Sequence, residues 1–113
     1  MRQVTTISLA DLTQMAAPFD GELVKGVVDV VTGALILDME LHVDGEQHLL
    51  RSGSSQEHLW GVNLHPQDFG DDDFVEFDSM INIRPRQGNR SRGVEDPETQ
   101  RRIVELITGI VHE

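Results

Sequence analysis

The sequence predicts an α+β fold: a single domain over residues 1–113, with a roughly four-stranded antiparallel sheet and helices on one face, in the order α-β-β-α-β-β-α. Three observations carry it. Two β-rich runs flank Thr32-Gly33 within Leu23 to Val43, and apolar residues recur there at period two. Leu59–Leu64 and Phe74–Arg84 alternate in the same way. The C-terminal segment instead places Ile103, Leu106, Ile107 and Ile110 on one stripe at helical spacing.

Each element follows from local chemistry. Ser8 ahead of Leu9, with Asp11 three residues on, starts a short helix carrying Leu9, Leu12 and Ala16, which ends before Pro18. A two-residue turn at Thr32-Gly33 pairs Val31 with Ala34. That pairing puts Val24, Gly26, Val28 and Val30 on the face of Leu35, Leu37, Met39 and Leu41, and sets Lys25 against Glu40 across the strands. Asp44 with Gln47 reads as the N-cap of a second short helix that runs through Leu49 and Leu50 and stops at Gly53. Trp60, Val62 and Leu64 define one face of the third strand. Val75, Phe77, Ile81 and Ile83 define one face of the fourth, after an acidic turn from Gln67 to Asp73. Asp96-Pro97 is an N-cap followed by proline at the first helical position, and it opens the last helix. The sheet face away from the helices is then polar, carrying Lys25, Asp29, Asp38, Glu40, His42, Asn63, His65, Glu76, Asp78, Asn82 and Arg84.

Composition narrows the function. The chain has 113 residues, enough for one core and not two, and carries a formal charge of −11. That charge argues against general DNA binding or a membrane-surface role, both of which need a broad excess of Lys and Arg. No stretch approaches a membrane span, and the N-terminal run MRQVTTISLADLTQM has no apolar core of signal-peptide length. With no cysteine there is no disulfide or thiolate chemistry, and a cytoplasmic location is expected.

The charge is unevenly distributed. Residues 1–83 carry three basic and fifteen acidic side chains, whereas Arg84, Arg86, Arg90, Arg92, Arg101 and Arg102 crowd into the next nineteen positions. Pro85 to Glu95 reads as a long strand-to-helix loop, a place where binding residues concentrate. Arg84, Arg86, Asn89, Arg90, Ser91 and Arg92 offer guanidinium forks, amides and a hydroxyl suited to phosphate or carboxylate. The competing reading pairs these arginines with Asp78, Glu76 or the Asp71-Asp72-Asp73 run; paired surface charges are common and contribute only about 0–1 kcal/mol each. Glu95, Asp96 and Glu98 already occupy the start of the last helix, so an anion would sit on the loop rather than at that terminus.

A second constellation lies on the strands. If the second and fourth strands were neighbours, Asp38, Glu40, Glu76 and Asp78 would converge as oxygen ligands for Mg²⁺ or Mn²⁺, with His42 beside them. The plainer reading is a solvated polar face. The five histidines are scattered, and Trp60 is a core anchor before it is a stacking platform. No metalloprotease, P-loop, nucleophile-elbow or zinc-deaminase motif is present, and no cofactor is implied.

The runs DMELHVDGEQHLLRSGSSQEHLWGVNLHP and EFDSMINIRPRQGNRSRGVEDPETQRRIVELI resemble a family of small prokaryotic proteins of unknown function, over about Leu9 to Val111. The resemblance implies a compact stand-alone prokaryotic protein and brings no activity or site residue. The residues themselves favour a non-enzymatic binding module, with the arginine loop holding a small anionic ligand or an RNA end. The alternatives are a divalent-metal-dependent phosphoester hydrolase using the four carboxylates, and an interaction protein. In the last case Val27, Val31, Ile36 and Met80 would be buried in a symmetric homodimer.

Overall fold

The hairpin is built around a carboxylate. In the computed structural model, which describes Met1 to Glu113, β3 (Val24–Asp29) pairs antiparallel with β4 (Leu35–Leu37), with Val28 opposite Leu35 and Gly26 opposite Leu37. The two-residue turn expected at Thr32-Gly33 is replaced by a longer loop. Asp29 Oδ1 accepts from the amides of Val31 at 2.8 Å and Thr32 at 3.0 Å, the Asp29 carbonyl accepts from Gly33, and Gly33 takes φ 81°. The register therefore moves by two residues. An even shift leaves the paired side chains on their expected faces, so Val24, Val28, Leu35 and Leu37 still point together into the core. Lys25 reaches Glu40, but its ammonium donates to the Glu40 carbonyl oxygen at 2.8 Å rather than to the carboxylate.

Three short strands escape the periodicity argument. β1 (Arg2–Val4) adds to the free side of β4, while β2 (Ile7–Ser8) and β7 (Val111–His112) form a small parallel pair. The main sheet has the order β1-β4-β3-β5-β6, all antiparallel, with β5 (Leu59–Leu64) as its long partner for β3 and β6 (Val75–Glu76) at the far edge. The α+β class holds, with five strands in the main sheet rather than four.

The expected N-terminal caps form at both ends of the chain. Ser8 accepts from the Asp11 amide at 3.1 Å to open α1 (Leu9–Met15), and Asp96 accepts from the Thr99 amide at 3.1 Å to open α3 (Pro97–Ile110). Leu12 of α1 and Ile103 and Ile107 of α3 are buried with Val28, Leu35, Trp60, Val62 and Leu64 in the main core.

The expectation of helices on one face alone is corrected. α2 (His42–Arg51) packs its Leu49 on the opposite face, where Val27, Ile36, Met39 and Leu59 form a second, smaller core. The polar-face reading underweighted three apolar positions of that alternation, Val27, Ile36 and Leu59, whose burial needs a cover. The same helix covers Val27 and Ile36, two of the four apolar residues assigned to a homodimer contact, while Val31 and Met80 remain exposed. Asp38 takes φ 72°, which ends β4 and turns Met39 over to this second face. α2 also begins earlier than its expected cap. Leu41 is the N-cap residue, with no side-chain hydrogen bond, and Asp44 lies inside the first turn.

The fourth strand is the other correction. Pairing stops after Glu76, and Met80–Asn82 and Pro85–Gln87 form single 3-10 turns. Asn82 explains how the edge of β5 stays satisfied. Its Oδ1 accepts from the Gly61 amide at 2.8 Å, and its Nδ2 donates to the Gly61 carbonyl at 3.0 Å, so one side chain stands in for a strand. Gly61 is required beneath it: a Cβ there would lie 2.5 Å from Ser79 Oγ and 2.6 Å from Ser79 Cβ.

Candidate functional site

The arginine loop spends its backbone amides and the Asn89 side chain on the protein itself. The Asn89 side chain is buried and donates to the carbonyls of Asn82 at 2.7 Å, Gly93 at 2.8 Å and Ser91 at 3.2 Å, and it accepts from the Glu95 amide at 2.8 Å. It organises the loop. The amides of Arg90 and Ser91 converge on Glu95 Oε2 at 2.6 and 2.9 Å, so the protein's own carboxylate occupies the backbone anion cradle. Those hydrogen bonds hold the Glu95 carboxyl below the usual range. Ser91 Oγ accepts from the Gly93 amide at 3.2 Å. Arg92 Nε donates to Asp78 Oδ1 at 2.5 Å.

The remaining arginines divide. The Arg84 guanidinium lies 4.1 Å from the centroid of the Trp60 ring and donates to the Gln56 carbonyl. Burial pushes its pKa down, with Glu46 opposing. Arg101 pairs with Glu98, and Arg102 donates to the Val30 carbonyl at 3.2 Å. Arg86 and Arg90 are exposed and form no ion pair. The six loop residues are thus brought together as a folded turn; Arg86 and Arg90 make no side-chain hydrogen bond, and Arg84 leaves Nε and Nη2 buried without a partner.

The four carboxylates considered for a metal do not converge. β4 and β6 are separated by β3 and β5, and Asp38 and Glu40 lie beyond the end of β4. Glu76 Oε1 accepts from Asn63 Nδ2 at 3.0 Å and approaches His65 Nε2 at 3.1 Å, while Asp78 is engaged by Arg92. No group of three or more His, Asp and Glu side chains is arranged to hold an ion.

The site that sequence reasoning missed is a cleft of about 380 Å³ between the N-terminus of α2 and the Ser79–Ile81 turn. Its apolar wall comprises Leu23, Leu41, Val43, Met80 and Ile81, of which Leu41 and Met80 are 59% and 64% exposed. Its polar lining includes Lys25, His42, Asn63, Asp78 and Arg92. Apolar walls with a few placed polar groups characterise small-molecule sites. Lys25 makes no ion pair, and the α2 amides at this end have no side-chain cap. Asn63 is only 5% exposed; its Nδ2 donates to Glu76 Oε1 and to the Asp78 carbonyl, whereas its Oδ1 has no partner. Sequence periodicity placed His42 on a strand. The unexpected start of α2 at Leu41 swings it instead into this cleft.

His42 Nε2 lies 2.9 Å from the Val62 carbonyl oxygen, an acceptor, so the nitrogen carries the proton. Burial lowers the imidazole pKa and Lys25 adds to the lowering, while the Val62 carbonyl, the facing Asn63 side chain and Asp78 oppose it. A depressed histidine pKa stabilises the fold most above the unfolded value of 6.5, and that contribution declines as pH falls from there to the folded pKa. Urea midpoints measured from pH 7 to 5 are expected to fall for the wild type and to fall less for His42→Gln. Parallel slopes would show that His42 is not the group responsible.

No curated protein and no solved structure matches the chain. The model of a family described as a protein of unknown function, DUF5674, matches residues 3–110, and the chain belongs to that family.

Proposed function

We propose that the protein is a non-enzymatic binding module for a small phosphate- or carboxylate-bearing ligand, held in the cleft beside α2. The observation that carries this reading is the placement of Lys25, a cation without a carboxylate partner, opposite an uncapped helix start and against an exposed apolar wall. An anionic group gains from both the ammonium and the helix dipole. A hydrocarbon portion gains by covering Leu41, Val43 and Met80. Of the arginine segment, Arg92 lines this cleft, so the loop supplies a wall rather than the whole site. The Glu95 carboxylate, already in the loop's backbone cradle, favours the cleft over the loop as the place for an external anion.

Titration of isotopically labelled protein with benzoate and with phenyl phosphate tests the reading. Amide shifts centred on His42, Val43 and Asn63 are expected, with affinity reduced about tenfold in Lys25→Met, since a charge-assisted hydrogen bond is lost. Shifts centred on Arg86 to Ser91 instead, or no saturable shifts, would overturn it.

A further inference from the structure

Three features of the cleft constrain its ligand beyond an anionic group and an apolar body. Asn63 has its amide nitrogen committed to two acceptors, Glu76 Oε1 at 3.0 Å and the Asp78 carbonyl at 3.2 Å. That fixes which end of the amide is oxygen, and the buried oxygen, which faces the His42 ring, receives no hydrogen bond and calls for a donor. His42 does not supply one in its neutral form. Its single N–H goes to the Val62 carbonyl, so its other ring nitrogen is an acceptor. Beside Asn63, Asp78 has Oδ1 engaged by Arg92 while Oδ2 makes no hydrogen bond, a second acceptor with negative charge.

The charge inventory points the same way. The cleft holds Lys25 and Arg92 against Glu76 and Asp78, a formal balance of zero in a chain of net charge −11. A purely anionic ligand approaches against the field of the whole molecule; a zwitterion does not.

Resting on the binding reading above, we infer that the ligand is a free α-amino acid with an aliphatic side chain. Its carboxylate meets Lys25 and the amides at the start of α2. Its ammonium donates to Asn63 Oδ1 and Asp78. Its side chain lies against Leu41, Val43 and Met80. A peptide terminus keeps one of the two charged groups and leaves either Lys25 or the Asn63 oxygen unanswered, so the free amino acid is the better complement.

Leucine, 4-methylpentanoate, which lacks the amine, and leucinamide, which lacks the carboxylate, separate these contributions in calorimetric or chemical-shift titrations. Leucine is expected to bind about tenfold or more tightly than either analogue, because each removes a charge-assisted hydrogen bond and leaves its protein partner unpaired. Lys25→Met is expected to bring leucine down to the level of leucinamide while the amide spectrum away from the cleft and the Glu40 contact stays unchanged. If 4-methylpentanoate binds as tightly as leucine, the zwitterion inference fails and the anion-binding reading survives. If leucinamide binds as tightly, the carboxylate is unrecognised and the inference fails. If none of the three binds while benzoate does, the inference alone falls; if benzoate and phenyl phosphate also fail, both fall together.

Discussion

Replacing Asn82 with alanine is expected to destabilise the fold by about 3 kcal/mol, because the buried amide and carbonyl of Gly61 both lose their partner and the Arg92 carbonyl is left with the Ser79 amide alone. The side chain is fully buried, with Oδ1 on the Gly61 amide and Nδ2 shared between the carbonyls of Gly61 and Arg92, each at 3.0 Å. Gly61 lies in the middle of β5, and the chain that would have paired with it has turned into the Met80–Asn82 3-10 turn. Nothing else in that turn bonds to Gly61 in its place. The change also loosens the Arg92 end of the cleft, so ligand affinity is expected to fall along with stability. Chemical denaturation of the purified variant measures the first effect. A loss below about 1 kcal/mol would mean that water or backbone movement satisfies Gly61 and that the strand-mimic role is overstated.

Asp29→Ala is expected to cost a similar amount, about 2–4 kcal/mol, at the β3–β4 loop. Burial by itself would raise the pKa of this carboxyl, but hydrogen bonds from the Thr32 amide, the Ser54 hydroxyl and the Val31 amide hold it below its ordinary value. Ser54 Oγ donates to Oδ2 at 2.7 Å and so ties the segment after α2 to the β3–β4 loop. A carboxyl with a lowered folded pKa stabilises above its unfolded value of 3.8 and loses that contribution as pH falls through the folded pKa. The variant is therefore expected to be less stable at neutral pH and to lose less stability on acidification below about pH 4. Asp29→Asn retains an acceptor for the loop and is expected to fall between the two. Thermal melts at pH 7 and pH 3 distinguish these outcomes. Equal destabilisation of Asn and Ala variants would assign the effect to charge rather than to the hydrogen bonds.

These two side chains also mark where sequence patterns stop informing. The hairpin face was readable because Val24, Val28, Leu35 and Leu37 alternate, and alternation survives an even change of register. The register itself was not, because Asp29 closes a longer loop with its own side chain, a choice that period-two patterning does not encode. Ser8 and Asp96 were legible as caps because a side-chain acceptor precedes each helix. The start of α2 was obscured because Leu41 offers no such acceptor, while Asp44, three residues later, imitates one. For the candidate site, the arginine segment announced itself by charge, yet the groups that complete it, Glu95 and Asn89, act through the backbone amides and carbonyls of the loop. The cleft gave no local signal, since Lys25, His42 and Asn63 are brought together from β3, α2 and β5.

By itself, then, the sequence determined the α+β class, the strand faces, the first and last helices and the kinship with a family of unknown function. These depend on periodicity and on caps, which are contacts between residues a few positions apart. The tertiary structure decided the strand order, the covering of the second sheet face by α2 and the partners of each arginine. It also decided that Lys25, His42 and Asn63 share one cleft. All of these depend on which distant segments satisfy one another's buried polar groups and apolar area, a competition that is resolved only when the whole chain packs.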